Sequence, residues 1–262
     1  MLVEERRSQL LEMVRSRGFA SLPELADQLK VSESTVRRDL DYLEEVGSAK
    51  RTHGGVFYTG ESPKLPHFDE LQSAQWDKKK QIAAEAVKLV EEGDTILLDG
   101  GSTTYEVARL LVGRRLQIVT NSLPVANLFA SNANSDLVIL GGYVYPRTGV
   151  ALGPYANEML ARLNVRRTIL SASGVNDRGF FNHNLLLVET ERAMMHAADE
   201  VIVVADSTKF GRQDLSHLCA LGDVQHLVVD DAISNDWRGK AMAAGLRLHV
   251  ALPQSNGSDA KS

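Results

Sequence analysis

Asp99-Gly100-Gly101-Ser102-Thr103-Thr104 falls where an apolar run ends and a helical pattern begins. Two adjacent glycines permit tight backbone approach with N–H groups aimed at one spot. The three hydroxyls add donors, and the start of a helix favours an anion. That is the chemistry of a phosphate cradle. Plain helix capping by Ser102 or Thr103 is the alternative use of the same residues. The loop lacks the lysine of a nucleoside-triphosphate P-loop. Thr120-Asn121-Ser122 repeats the arrangement at a second strand end and Gly141-Gly142 at a third, so the three are expected to share one pocket rim. Lys209 offers a charge for phosphate or sugar, or stands as an exposed loop lysine. Asn182, His183 and Glu189 lie in an irregular polar stretch suited to reading sugar hydroxyls, although His183 fits a plain loop equally well.

A second constellation lies near the N-terminus. Ser32 is placed to cap a helix running from Glu33 to about Val46 and closed by Gly47. At 100° per residue, Val36, Leu40 and Leu43 point inward, while Ser34, Arg38, Asp41 and Glu45 face away, flanked by Thr35 and Arg37. The outward face is thus cationic and hydroxyl-bearing at its start and acidic at its end. This asymmetry fits a recognition helix whose first turns enter a DNA major groove. Lys50, Arg51 and His53 add positive charge in a predicted hairpin, Lys50 to Tyr58, where a wing meets the backbone. The alternative is a small helical protein-interaction domain with solvated arginines.

The elements needed to hold these groups are legible. A helix through Leu10, Met13 and Val14 stops at Gly18, and a second, capped by Ser21 with Pro23 in its first turn, carries Leu22, Leu25, Ala26 and Leu29 on one face. Residues 59–76, with Gly60, Pro63 and Pro66, form a linker. A long amphipathic helix is predicted from Asp77 to Glu92. Seven strands follow, at Thr95–Asp99, Gln117–Asn121, Leu137–Gly141, Arg167–Ser171, Glu200–Ala205, His226–Val229 and Arg247–Val250. Helices are predicted between them at Thr104–Leu111, Leu123–Ala130, Tyr155–Leu163, Val188–Ala198 and Asp236–Ala244. Such alternation predicts an α/β class with a mostly parallel sheet covered on both faces. The domain reading is 1–58 for a winged helix-turn-helix, 59–76 for the linker, 77–252 for a sensor and 253–262 for a disordered tail.

Bulk composition narrows the classes. The formal charge of −5 does not advertise a nucleic-acid partner, and the first sixty residues carry nine Lys/Arg against ten Asp/Glu. DNA binding must therefore rest on how charge is placed. A single cysteine, Cys219, excludes an internal disulfide and a thiolate zinc cluster, and suits a reducing cytoplasm. No apolar run is long enough for a membrane span.

Ser34-Thr35-Val36-Arg37-Arg38-Asp39-Leu40, then Gly47 and Arg51-Thr52-His53-Gly54-Gly55, resembles the signature of DeoR-type bacterial repressors. The likeness continues through Asp99–Thr104, Thr120–Asn121, Gly141–Gly142, Ser173–Gly174 and Asp206–Lys209. It implies a sensor domain similar in fold to ribose-5-phosphate isomerase and a phosphorylated-sugar effector. It further implies repression of a carbohydrate-metabolism operon, relieved by ligand. No cofactor or metal is expected. A sugar-phosphate isomerase or deaminase is the rival, with Asp99, Asp177, Glu189 and Lys209 as candidate groups. The Gly-Ala-Asp-Glu segment of the isomerases is replaced here by Ser173-Gly174-Val175-Asn176. A homo-oligomer, dimer or tetramer, is expected because recognition helices read repeated half-sites.

Overall fold

A computed structural model describes residues 3–17, 19–45, 49–52, 55–58 and 68–253, with backbone alone at 15–17, 19, 50–52, 55, 57–58 and 68–70. The chain divides near Leu65 into two compact units, each with its own core.

In the first unit, α1 (Val3–Arg17), β1 (Phe19–Ala20), α2 (Leu22–Leu29) and α3 (Glu33–Glu45) precede a hairpin of β2 (Ala49–Thr52) and β3 (Gly55–Tyr58). Ser21 and Glu24 form the capping box that starts α2, with Pro23 in its first turn. Leu10, Val14, Leu25, Leu29, Val36, Leu40, Leu43 and Val56 make the core. The hairpin is antiparallel as expected, and β1 adds a third strand in the order β1-β3-β2. Two residues are too few to leave a periodic signal in sequence.

The second unit starts with α4 (Phe68–Ser73) and α5 (Trp76–Ala86). The stretch read as linker therefore contains a helix, too short to show against its polar neighbours. α5 stops earlier than its pattern suggests and tightens into a 3-10 turn, Val87–Leu89. The Arg114 guanidinium donates to the carbonyls of Val87 and Val90 at 3.2 and 2.7 Å, terminating the helix from more than twenty residues away. Then come β4 (Thr95–Leu98), α6 (Ser102–Leu111), β5 (Leu116–Thr120), α7 (Leu123–Phe129), β6 (Ser135–Ile139), β7 (Tyr143–Tyr145), β8 (Val150–Leu152) and α8 (Pro154–Leu160). The chain continues through β9 (Val165–Ser171), β10 (Gly174–Asn176), β11 (Gly179–Asn182), α9 (Leu185–His196), β12 (Ala198–Val204), β13 (Ser216–Cys219), β14 (His226–Asp230), α10 (Asn235–Ala243) and β15 (Arg247–Ala251).

All seven expected strands join one parallel sheet, ordered β15-β14-β12-β9-β4-β5-β6. Alternating side chains feed opposite faces: Leu97 packs with Leu160, Val188 and Met194, whereas Ile96 and Leu98 pack with Ile82, Val107 and Val125. The chain winds outward from β4 to β5 and β6, then returns to place β9 on β4's other side. The order thus reverses between β4 and β9, where open α/β sheets leave a crevice at the carboxyl ends of their strands. The β7–β8 hairpin and the small β10-β11-β13 sheet were not anticipated, being built from strands of three or four residues.

Candidate functional site

Two surfaces carry chemistry, one in each unit. On α3, Val36, Leu40 and Leu43 are buried, while Ser32, Ser34, Arg37 and Arg38 are exposed and Thr35 is half-buried. The Ser32 hydroxyl accepts from the Thr35 amide at 3.3 Å and contacts the hydroxyls of Ser34 and Thr35 at 2.8 and 2.9 Å. Arg37 has only a long contact to Glu33, 3.9 Å, and Arg38 makes no ion pair among the described residues. Asp41 and Glu45 are exposed at the far end. Asp39 is the surprise, a carboxylate 2% exposed. Arg6 and Arg7 of α1 reach it at 2.5 and 3.1 Å, so a charge in the middle of α3 fastens that helix to α1. His53 and the side chains of Lys50 and Arg51 lie outside the described residues.

In the second unit a cavity of about 140 Å³ opens at the carboxyl ends of β4 and β9. Its wall includes Asp99, Gly100, Gly101, Ser102 and Thr103 from the β4–α6 loop, with Ser171, Asn182, His183 and Lys209. Lys79, Thr148, Glu191 and Asp206 also line it. Gly101 is the N-cap of α6 and has no side chain to accept from the helix's first turn, whose Ser102 and Thr103 line the cavity. The glycines serve a different contact from the one expected. A Cβ at Gly100 would lie 2.0 Å from Val150 Cγ1, and one at Gly101 1.8 Å from Ser171 Oγ. Both positions are closed to larger residues by the protein's own packing.

Burial dominates the electrostatics here. Asp99, 2% exposed, accepts from the Ser171 amide and hydroxyl at 3.0 and 2.9 Å. Burial still holds its pKa above the ordinary carboxylate range, with the bonds from Ser171 opposing the shift. Glu191 is raised well above its usual value, first by burial and then by repulsion from Asp99, although the Asn182 amide donates to both its oxygens at 2.7 and 2.8 Å. Burial lowers His183, favouring the neutral ring, and lowers the Lys79 ammonium.

The other expected rim residues lie elsewhere. Thr120 Oγ1 donates to the Leu98 carbonyl at 2.7 Å, tying β5 to β4. Asn121 donates to the Ala151 carbonyl at 3.0 Å. Thr104 is fully buried and absent from the cavity wall. Gly141 donates to Met159 Sδ at 3.4 Å, and Gly142, at φ 154°, packs so closely that a Cβ would meet the Leu152 carbonyl at 2.8 Å. The physical reason is topological. The crevice opens between β4 and β9, and β5 and β6 lie one and two strands away from it, about 4.8 Å per step. Glu189 is exposed, whereas Glu191, two residues on and round the other side of α9, reaches the cavity.

Residues 6–61 match the model of the DeoR-like helix-turn-helix domain, and residues 74–231 match the DeoR C-terminal sensor domain. The chain belongs to the DeoR family of DNA-binding transcriptional regulators. Among its relatives is the uncharacterized HTH-type transcriptional regulator YulB of Bacillus subtilis, 33% identical over 89% of this chain and 91% of that one. The lactose phosphotransferase system repressor of Streptococcus mutans is 31% identical, covering 88% and 93% of the two chains. The glycerol-3-phosphate regulon repressor of Haemophilus influenzae is also 31% identical, covering 86% and 89%. Ribose 5-phosphate isomerase A of Methanocaldococcus jannaschii is a structural neighbour at TM-score 0.37 and 21% identity, over 52% of this chain and 55% of that one.

In this DeoR-family sensor, sequence reasoning passed over Lys79, Thr148 and Glu191, and took Asp206 only as part of the family likeness. Lys79 is one of three consecutive lysines on a polar helix, and nothing local marks it as the buried one, 4% exposed. Glu191 carried a usable signal, since it shares a helical face with Leu187 and Val188. No helix among the described residues is long and apolar enough to cross a membrane.

Proposed function

We propose that this regulator represses a carbohydrate-metabolism operon in the cytoplasm, and that a phosphorylated sugar in the β4–β9 cavity modulates its grip on DNA. One observation carries the reading: Lys79 and Lys209 share a cavity wall with the uncapped start of α6. Neither lysine pairs with a carboxylate among the described residues. A helix N-terminus and two ammoniums with no described carboxylate in an ion pair form an environment for a dianion. The Ser102 and Thr103 hydroxyls add donors, and Asp99, Asn182, His183 and Glu191 supply acceptors and donors for sugar hydroxyls. Two relatives, named as repressors of a lactose phosphotransferase system and of a glycerol-3-phosphate regulon, support an effector of this class.

On the DNA side, Arg37 and Arg38, with Ser34 and Thr35, enter the major groove, and Ser32 at the α3 start meets phosphate. Lys50, Arg51 and His53 hold the backbone as a wing. A homo-oligomer, dimer or tetramer, presents paired helices to repeated half-sites. The test is gel-shift titration of the protein on the DNA upstream of its own gene, with pentose, hexose and triose phosphates added in turn. Thermal unfolding in the same ligands reports occupancy, because a ligand selective for the native state raises the melting temperature. Release of DNA by a stabilising sugar phosphate is expected. Operator affinity unmoved by every stabilising compound removes the coupling, and rapid turnover of a sugar phosphate replaces the regulator with an enzyme.

A further inference from the structure

The cavity wall includes the corner where α4 meets α5, through Leu71, Ala74, Gln75 and Lys79. Three observations single out this corner. Lys79 is buried, and its Nζ donates to the backbone carbonyl of Leu71 in α4. Gln75 holds φ 54° and ψ 33°, a left-handed conformation that a glutamine keeps only when its surroundings impose it. Thr148 Oγ1, also on the cavity wall, is shielded from solvent and has no partner among the described residues.

The Lys79 ammonium therefore has a neutral carbonyl as its bonded partner; burial disfavours its charge most, the Asp206 and Glu106 carboxylates favour it from a distance, and Lys209, which opposes it, faces the same space. An anion between the two lysines is attracted by both. Both contacts use the ionised donor, but only the phosphate adds the Coulomb attraction of opposite charges, which is large in a low-dielectric cavity. A phosphate within reach outcompetes the Leu71 carbonyl for the ammonium. A separate tie joins α4 to α6, Gln72 Nε2 to Glu106 Oε1 at 3.2 Å.

We propose that Lys79 is the effector-sensing residue of this domain: its ammonium leaves the Leu71 carbonyl for the phosphate of the bound molecule, and the α4–α5 corner relaxes from the left-handed Gln75 turn. The proposal rests on the effector reading above and adds the route of its signal. α4 is the first described element of the sensor unit, and the chain before it runs to the DNA-binding unit. A change at the corner thus acts on the covalent connection between the two. Lys79 is a positioning residue for α4 as well as a ligand contact.

Trp76, the first residue of α5, lies beside the corner with Lys80 Nζ 3.1 Å from its ring centroid, which makes it a natural reporter. The full chain carrying Trp237→Phe leaves Trp76 as its one tryptophan. Inorganic phosphate is titrated while Trp76 emission reports the corner and thermal unfolding reports binding. The parent is expected to be stabilised and to show a saturable emission change. Adding Lys79→Met weakens phosphate binding by about tenfold, and at saturation the emission change is gone. Gln75→Gly, which keeps every charge and removes the left-handed penalty, shows a diminished emission change once saturated with phosphate. An undiminished change in saturated Lys79→Met, or in Gln75→Gly should the first variant fail to fold, overturns the proposal while leaving the cavity intact. A parent that phosphate does not stabilise removes the cavity reading and this proposal with it.

Discussion

The starts of α3 and α6 use the same helical chemistry in opposite ways. α3 begins with Ser32, whose hydroxyl accepts from the Thr35 amide, and its first turn is exposed. α6 begins with Gly101, which has no side chain to offer, and the Thr103 side chain beyond it is buried in a cavity wall. The first helix satisfies its own end and leaves recognition to side chains that extend outward. The second has no side-chain cap, and in the proposed reading recognition falls to its backbone, with Lys79 and Lys209 at the same space. A capped, exposed start suits a large partner read through side-chain tips, while an uncapped, enclosed start suits a small anion that fills the missing cap.

That contrast can be broken most severely at Thr103. Thr103→Glu puts a carboxylate where the proposed anion would sit, and is expected to weaken phosphate binding by roughly a hundredfold. Operator binding should persist and no longer respond to effector, as gel-shift titration with and without sugar phosphate would reveal. Gly101→Ala tests the packing instead. Its Cβ would fall 1.8 Å from Ser171 Oγ, so the loop must shift, costing about 2 kcal/mol of sensor stability and loosening the Asp99–Ser171 bonds. Thermal unfolding followed by tryptophan emission measures this directly, since both tryptophans lie in the sensor unit.

Arg38→Ala acts on the other helix. A loss of about tenfold in specific operator affinity is expected, with phosphate stabilisation of the sensor unchanged. Retained affinity would take Arg38 off the reading face.

Glu191→Gln is the mildest. Because burial raises the Glu191 pKa above its unfolded value, the native state binds that proton more readily than the unfolded chain. Its contribution is fully present below the ordinary glutamate pKa and lost as pH rises through the raised one. The glutamine variant, which cannot ionise, should melt a few degrees higher than the parent at about pH 8, with the gap closing toward about pH 4. An equal gap across that range would mean that Glu191 is not the group under strain.

How much could be read in advance differs between the two helices for a related reason. The outward face of α3 follows from local periodicity, because inward Val36, Leu40 and Leu43 leave Ser34, Arg37 and Arg38 nowhere else to go. Asp39 escaped that logic, as its burial depends on Arg6 and Arg7 more than thirty residues away. At α6 the loop Asp99–Thr103 was legible from its residue types, yet of its supposed companions Thr120, Asn121 and Gly142 went to strand and hairpin contacts and Gly141 to Met159 on α8. Residue type marks a strand end as polar; it does not say which strand lies next to which.

The amino-acid order by itself determined the helix-turn-helix, the seven parallel strands and the loop that opens α6, because periodicity and turn chemistry act over a few residues. Only the tertiary structure decided that the crevice opens between β4 and β9, that Lys79 and Glu191 turn into it, and that Asp39 is clasped from α1. Strand order and long-range burial are properties of the whole packed chain, and no local window of sequence contains them.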